Sequence, residues 1–164
     1  MLREFPDANG NLIKRILPEQ YDASKDDGTG YTYEYDSCGR LVQITNPLGI
    51  TEHRYVYDLA GNLVKDIDAK GYLSADTDEE RTGTLYRYDL TGNVTEIRKP
   101  LQVTDAGAAY RLVSYRYDLC GNCIEEKRYL DYQTTDSAKG RVNVIRYTYD
   151  KANRLVRILS LIHI

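Results

Sequence analysis

The sequence predicts an all-β chain of tandem antiparallel β-hairpins laid side by side in a continuous curved sheet. Three observations predict it: the phrase Tyr-x-Tyr-Asp keeps returning, its Asp is followed three residues later by Gly, and alternating apolar residues come next. YEYDSCGRLV begins at Tyr33, YVYDLAGNLV at Tyr55, YRYDLTGNVT at Tyr86, YRYDLCGNCI at Tyr115 and YTYDKANRLV at Tyr147, with a degenerate copy, EFPDANGNLI, from Glu4. These six copies in 164 residues place ten of the 16 tyrosines in two columns, while Trp is absent and Phe occurs once. The aromatic composition is therefore a property of the repeat, and self-similarity at this period marks an array whose units pack on their neighbours.

The first strand of each unit carries the tyrosines. Tyr33 and Tyr35, Tyr55 and Tyr57, Tyr86 and Tyr88, Tyr115 and Tyr117, and Tyr147 and Tyr149 alternate with other residues, so each pair shares one face of a strand. Charged residues such as Arg87 and Arg116 fall between them, which predicts one packed face and one wet face. The turn follows as Asp36 to Gly39, Asp58 to Gly61, Asp89 to Gly92 and Asp118 to Gly121. Asp at the first and Gly at the fourth position suit a type I turn, the carboxylate accepting backbone N–H groups and the Gly taking a positive φ. After Asp150 the Gly is replaced by Asn153, a residue that tolerates the left-handed region. The second strand resumes with Leu41, Val42 and Ile44, or Leu155, Val156 and Ile158. A lone hairpin is marginal in water, so the units are expected to stack edge to edge.

The anchoring aspartates Asp7, Asp36, Asp58, Asp89, Asp118 and Asp150 are 29, 22, 31, 29 and 32 residues apart. Constant hairpins with variable connections explain the irregularity. The connections DASKDDGTG (22–30), LSADTDEERTG (73–83), LQVTDAGAA (101–109) and DYQTTDSAKG (131–140) are polar and are expected to be exposed loops, with room for a helical turn between Ala106 and Leu112.

Charge argues against several functions. The net charge is −3, and 22 basic residues are scattered among 25 acidic ones, so no nucleic-acid partner is expected. No apolar run reaches the roughly 20 residues needed to span a bilayer, which argues against membrane insertion by this segment. MLREFPDANG has no apolar core of a signal peptide and starts inside a repeat, so the native N-terminus is expected upstream.

No catalytic, metal or cofactor site is expected. Cys120 and Cys123 form Cys-x-x-Cys without a second pair or a nearby His; Cys120 holds the turn position of Cys38, Ala60 and Thr91, and Cys123 that of a strand Leu or Val. The repeat aspartates have turns to cap. His53 and His163 are too few and too far apart for a triad, the Gly28–Gly30 run lacks the setting of a phosphate loop, and DTDEE (76–80) lacks EF-hand spacing and reads as a solvated acidic loop.

Tyr-x-Tyr-Asp-x-x-Gly-Asn/Arg-Leu resembles the YD repeat of the Rhs family, as does the linking phrase TNPLGITEHRYVYD from Thr45 to Asp58. Asp68 to Gly71, DAKG, resembles the same link without its Pro, and Arg98 to Pro100 keeps the Pro without the Gly. The resemblance runs from Asp7 to about Ile158. It implies that residues 1–158 are an array of about six hairpins, truncated at both ends, forming part of a hollow β-cocoon. In bacterial Rhs effectors and the C components of insecticidal Tc toxins such a shell encloses a C-terminal toxin, and a related barrel belongs to the teneurin adhesion receptors. The implied partners are further repeats on either side, an enclosed toxin domain of the same polypeptide and secretion-apparatus proteins; the implied location is exported, secreted or at the cell surface of a bacterium. The Asp-Pro-x-Gly pair of the self-cleaving segment, a secretion-apparatus domain and a toxin domain are not found in the sequence.

Two functions stay open at this level. One is a non-catalytic wall around a toxin cargo; the other is a surface adhesion or carbohydrate-binding array, since rows of Tyr stack on sugars while their hydroxyls hydrogen-bond. Packing of the Tyr columns into the sheet favours the wall, and a ladder of solvent-facing rings favours sugars. The final LSLIHI (159–164) departs from the repeat and matches one reading frame of a transposon end used in preparing sequencing libraries, so it is expected to be a non-native tail. Open sheet edges predict poor solubility.

Overall fold

The computed structural model describes residues 2–25, 27–104, 107–131 and 140–162. It is built almost wholly of antiparallel strands, grouped in two compact units: residues 1–57 with 65–83, and residues 58–64 with 84–164.

In the first unit the strands β1 (Arg3–Pro6), β2 (Leu12–Ile16), β3 (Tyr21–Asp22), β4 (Asp27–Gly28), β5 (Tyr31–Tyr35), β6 (Leu41–Thr45), β7 (Thr51–Tyr57) and β8 (Leu63–Asp68), of which Leu63 and Val64 count with the second unit, precede a single helical turn, α1 (Ala69–Tyr72). β1, β2, β5, β6, β7 and β8 are sheet neighbours in that order, and β3 pairs with β4 as a separate ribbon. The second unit holds β9 (Thr84–Tyr88), β10 (Val94–Thr104), β11 (Gly107–Tyr117), β12 (Cys123–Tyr129), β13 (Val142–Tyr149) and β14 (Leu155–Ile162), again in sequence order. This is the hairpin array that the repeat demands: β5 and β6, β9 and β10, β11 and β12, and β13 and β14 each flank one Asp-x-x-Gly or Asp-x-x-Asn turn.

The connections differ from expectation. Residues 101–104 and 107–109 of LQVTDAGAA are strand rather than loop: β10 and β11 run to eleven residues each, pairing Gln102 with Ala109, Val103 with Ala108 and Thr104 with Gly107, while Asp105 lies outside the described residues. A helical turn is excluded for the same reason over residues 107–112, where Pro100 faces Tyr110 and Arg98 faces Leu112; Ala106 lies outside the described residues. A two-strand ladder satisfies backbone groups along its whole length, whereas a single helical turn carries the cost of nucleation with almost no propagation.

Two other connections fold back over the sheet. Residues 17–30 form a 3-10 turn (Pro18–Gln20) and the β3·β4 ribbon, and residues 69–83 form α1 and a compact loop. Beneath them Ile16 and Ile67 are both 0% exposed. Backbone packs on backbone here, and glycine permits it. A Cβ on Gly28 would sit 2.0 Å from the Gln20 carbonyl oxygen, one on Gly71 2.0 Å from that of Thr82, and one on Gly30 2.4 Å from that of Arg15. The DAKG link is therefore not a turn like Asn-Pro-Leu-Gly. Asp68 caps α1 by accepting the Gly71 N–H at 2.8 Å.

DTDEE is a largely exposed loop, as expected, but Asp78 within it is half-buried and paired. Asp78 accepts from Arg54 at 2.9 Å and Arg81 at 2.6 Å, and the Lys65 ammonium donates to the Asp78 and Glu79 carbonyls at 2.6 and 3.0 Å. Burial works to raise the Asp78 pKa, but the two guanidinium groups outweigh it and hold the carboxyl below its usual value. Arg81 also stacks its guanidinium 3.8 Å from the centre of the Tyr72 ring.

The packed face is likewise not simply the Tyr face. The motif tyrosines are half-buried, while the fully buried apolar residues Ile16, Ile67, Leu112 and Val144 alternate onto the opposite side. Arg15 faces Tyr31, which turns Ile16 away; Leu112 and Val144 stand an odd number of residues from Tyr115 and Tyr147. In the ladder Leu112 faces Arg98 and Val144 faces Lys127, residues whose methylenes cover apolar neighbours while their heads seek charge. Leu159 to Ile162 continue β14, with Leu159 opposite Arg146 and Ile162 opposite Asn143; ladder bonds are backbone bonds and do not need the repeat motif. His163 and Ile164 lie outside the described residues.

Candidate functional site

The unit that recurs is the turn, and its chemistry starts at the Asp. Asp36 N–H donates to the Arg40 carbonyl at 2.9 Å and Gly39 N–H to the Asp36 carbonyl at 3.0 Å. The same pair of bonds closes the turns at Asp7, Asp58, Asp89, Asp118 and Asp150. Gly10, Gly39, Gly61, Gly92 and Gly121 have φ between +75° and +90°, and Asn153 takes +59°. The pairing slips by one residue beside these turns, between Glu34 and Tyr35 for instance, so each hairpin is a type I turn followed by a one-residue bulge.

The carboxylate does more than cap. In the turn at Asp118 one oxygen accepts the N–H groups of Cys120 and Asn122, both at 2.9 Å, and the other accepts the Asn122 side-chain amide at 3.0 Å. Asp89 does the same with Thr91 and Asn93, and Asp7 with Asn9 and Asn11. Where Arg replaces that Asn, the guanidinium takes its place: Arg40 reaches Asp36 at 2.7 Å and Arg154 reaches Asp150 at 2.8 Å. The residue after the Gly is thus a second partner of the Asp, one that the repeat displays in every copy as Asn or Arg. These donors hold the carboxyls of Asp7, Asp36, Asp58, Asp118 and Asp150 below the usual range. Asp89 is lowered to about 2, first by the Thr91 hydroxyl and then by the Asn93 side chain and backbone. A carboxylate so engaged is a poor general base.

The linking phrase Asn46-Pro47-Leu48-Gly49 closes the same way at the other end of the strands. Asn46 accepts from Leu48 N–H at 2.9 Å and Ile50 N–H at 3.1 Å, and Gly49 has φ +79°. An amide oxygen here does the work of the carboxylate.

The second Tyr of each motif joins one hairpin to the one before. In the first unit the Tyr35 hydroxyl donates to the Leu12 carbonyl at 3.0 Å and Tyr57 to Leu41 at 2.8 Å. In the second unit Tyr88 donates to Leu63 at 2.8 Å, Tyr117 to Val94 at 2.8 Å and Tyr149 to Cys123 at 3.0 Å. The acceptor is always the first residue of the preceding hairpin's return strand. Burial pushes the phenols of Tyr57, Tyr88 and Tyr117 above their usual pKa, so they stay protonated and able to donate. Of the first tyrosines, Tyr147 donates to Glu126 at 3.2 Å, while Tyr33 and Tyr115 have no hydroxyl bond among the described residues. Tyr55 stacks on His53 with ring centres 5.6 Å apart, and His53 Nδ1 lies 2.9 Å from Asp66. Tyr86 is half-buried in β9.

Position by position, the second strands place Ile44, Ile97 and Ile158 opposite the first Tyr of their motifs, and Glu126 stands where those isoleucines do, opposite Tyr115. Its carboxylate is buried and pairs with Arg128. On the other face Glu125 accepts from Arg146 at 3.0 Å, with Lys127 at 3.3 Å and Arg116 at 3.5 Å. Every buried carboxylate here has a cation, which is the requirement for keeping it in the wall. Cys38 and Cys120 are exposed at turns, and burial raises the thiol pKa of Cys123. Among the described residues no three His, Cys, Asp or Glu side chains are grouped to hold a metal ion. Open grooves of about 740 and 640 Å³ lie beside the turns of the second unit; their walls are turn residues with Tyr115, Arg116 and Tyr117 in the first and Tyr86, Arg87 and Tyr88 in the second.

Residues 7–51 match the model of the RHS repeat family. The crystal structure of TcdB2-TccC3-Cdc42 resembles the chain with a TM-score of 0.64 at 16% identity, over 98% of this chain and 8% of that one. The crystal structure of TcdB2-TccC3 without its hypervariable C-terminal region resembles it equally, with a TM-score of 0.64 at 17% identity and the same coverage. At such identity the likeness is one of fold, and the chain spans about 8% of the length of those solved chains. No curated protein sequence matches it.

Proposed function

We propose that the chain is a structural segment of an Rhs (YD)-repeat protein, a length of wall in a hollow β-shell that encloses a C-terminal toxin domain of the same polypeptide until delivery; the repeat match over residues 7–51 and the shared fold support this. The wall does no chemistry; it sequesters. The observation that carries this reading is the tyrosine ladder. Five hydroxyls are spent on the carbonyls of neighbouring hairpins, and the rings are half-buried in the sheet. A sugar-binding platform needs free hydroxyls, and the five bonding tyrosines do not have them. One matched structure is described as lacking a hypervariable C-terminal region. That description supports a cargo after the repeats; the proposal adds further repeats on either side and export from a bacterium through secretion-apparatus proteins.

Limited proteolysis of the complete protein tests the proposal. The region C-terminal to the repeats is expected to resist cleavage in the native protein and to be cut once the five bonding tyrosines are changed to Phe. Cleavage of that region at equal rates in the native and Tyr→Phe proteins refutes enclosure, and loss of glycan binding in the Phe variant supports the adhesive alternative instead.

A further inference from the structure

Basic residues that are scattered along the sequence gather on one face of the second unit. Arg87 and Arg116 lie between the tyrosines of their motifs and so point to the other side of the sheet. The ladder carries that side across the strands: Arg87 stands opposite Glu96, Arg116 and Arg146 opposite Glu125, Lys127 opposite Ser114 and Arg157 opposite Thr148. With Arg98, opposite Leu112, six cations share this side of β9 to β14 with two carboxylates among the described residues, in a chain whose net charge is −3.

Arg98 is spent within the sheet, where it is buried, pairs with Glu96 and lies 5.0 Å over the Tyr110 ring. The exposed charge is concentrated around Glu125. That residue is 6% exposed, and its carboxylate has Arg146 at 3.0 Å, Lys127 at 3.3 Å and Arg116 at 3.5 Å. One negative charge does not neutralise three positive ones, and the side chains of Arg116 and Arg146 are 68% and 56% exposed. Arg157, on the next strand, is exposed and has no carboxylate partner among the described residues. Glu125 itself is incompletely satisfied. Its Oε2 accepts from Arg146, while Oε1, though flanked by cations, receives no well-directed hydrogen bond among the described residues. A buried carboxylate with an open acceptor, ringed by surplus cations, suits a ligand that brings both negative charge and N–H donors.

We propose that this face, centred on Arg116, Lys127 and Arg146, binds an acidic polypeptide segment. A polypeptide supplies carboxylates for the cations and N–H groups for Glu125 Oε1. A single-stranded nucleic acid fits less well, because it needs aromatic rings to stack its bases and the side chains beside these cations are Ser114, Val144, Thr148 and Leu159. From Arg116 to Arg157 the patch crosses three strand spacings, about 14 Å, which is the reach of about four extended peptide residues rather than of a duplex. The surface is a property of this segment and holds whatever the wall encloses.

The probe is fluorescein-labelled hexaglutamate, titrated with the complete chain at low salt and followed by anisotropy. Saturable binding at about 1 mM or tighter is expected, weakening as salt rises because exposed charges are screened beyond about 10 Å at 0.1 M. Arg116→Gln with Arg146→Gln is expected to weaken binding about tenfold, the loss of two exposed charge pairs. Lys151→Gln, at an exposed turn outside this face, is expected to change it by less than about twofold. Glu125→Gln keeps the shape and enlarges the surplus of positive charge, so it is expected to tighten binding. Amide shifts in the isotope-labelled native chain keep the test independent of how the variants fold: hexaglutamate is expected to move the signals of Arg116, Glu125, Lys127 and Arg146. Absence of binding at about 1 mM, equal weakening by Lys151→Gln, weaker binding by Glu125→Gln, amide shifts confined to other strands, or tighter binding of hexathymidylate than of hexaglutamate each overturns the proposal.

Discussion

Replacing Tyr117 by Phe removes one oxygen and leaves a ring of the same shape. The oxygen lost makes a 2.8 Å bond to the Val94 carbonyl, joining two hairpins that are consecutive in the array. A net hydrogen bond contributes about 1 kcal/mol, and an acceptor stranded by its loss costs about 1–3 kcal/mol if sealed from water. Val94 and Tyr117 are half-buried, so water can partly replace the hydroxyl, and the expected loss is about 1 kcal/mol. Tyr115 sits two residues earlier on the same strand and face without a hydroxyl bond, so Tyr115→Phe is expected within about 0.5 kcal/mol of the native protein. The five bonds share no partners, and removing all of them is expected to cost about 5 kcal/mol, the scale of a whole domain's stability. Urea unfolding of the two single variants and the fivefold variant measures this. Equal stability of Tyr115→Phe and Tyr117→Phe, or a fivefold variant as stable as either, refutes the reasoning.

Acid should loosen the array through its turns. The folded pKa values of the repeat aspartates lie below 3.8, so the stability they contribute is present above about pH 4 and is lost as pH falls through the folded values, near pH 2 for Asp89; far-UV circular dichroism during acid titration should show it, and Asp89→Ala should flatten the dependence. Alkali should act on the tyrosines: the folded pKa values of Tyr57, Tyr88 and Tyr117 lie above 10, so their contribution is present below pH 10 and is lost as pH rises through the raised values, which ultraviolet phenolate absorbance monitored with unfolding can follow. Gly61→Val forces a Cβ onto φ +90° and should cost about 1–2 kcal/mol or more, while Leu59→Ser at the fully exposed turn tip should change stability by less than about 0.5 kcal/mol in urea unfolding. Ile67→Ala, beneath the folded-back loop, should cost about 2–5 kcal/mol, and a cost under about 1 kcal/mol would mean that the loop does not cover it.

The hairpins were legible in the sequence because their determinants are local. Asp, Gly and the alternating residues act within a few positions of one another, and the period-two columns follow from strand geometry alone. The donor column after the Gly was also legible, since Asn11, Arg40, Asn62, Asn93, Asn122 and Arg154 occupy it without exception; its signal is a side-chain donor four residues after each Asp. What local pattern cannot display is which Tyr bonds and to what. Tyr57 and Leu41 are 16 residues apart and Tyr149 and Cys123 are 26, and only the register between hairpins brings them together. The folded-back segments were hidden for a similar reason. Their polar composition is that of an exposed loop, and what reveals the fold-back is the cover they give Ile16 and Ile67, which no local polar pattern displays. Gly28, Gly30, Gly71 and Gly83 mark them in retrospect: none has a positive φ and all four have a carbonyl oxygen within 3 Å of the missing Cβ, which makes them glycines of close approach rather than of turns.

Cryo-electron microscopy of the complete protein carrying this segment tests the central claim most directly. The account predicts a closed wall in which the second Tyr of every motif reaches the preceding hairpin's first return-strand carbonyl, with density for a separate polypeptide region inside. An open array with solvent-facing Tyr rings and no enclosed density would contradict it.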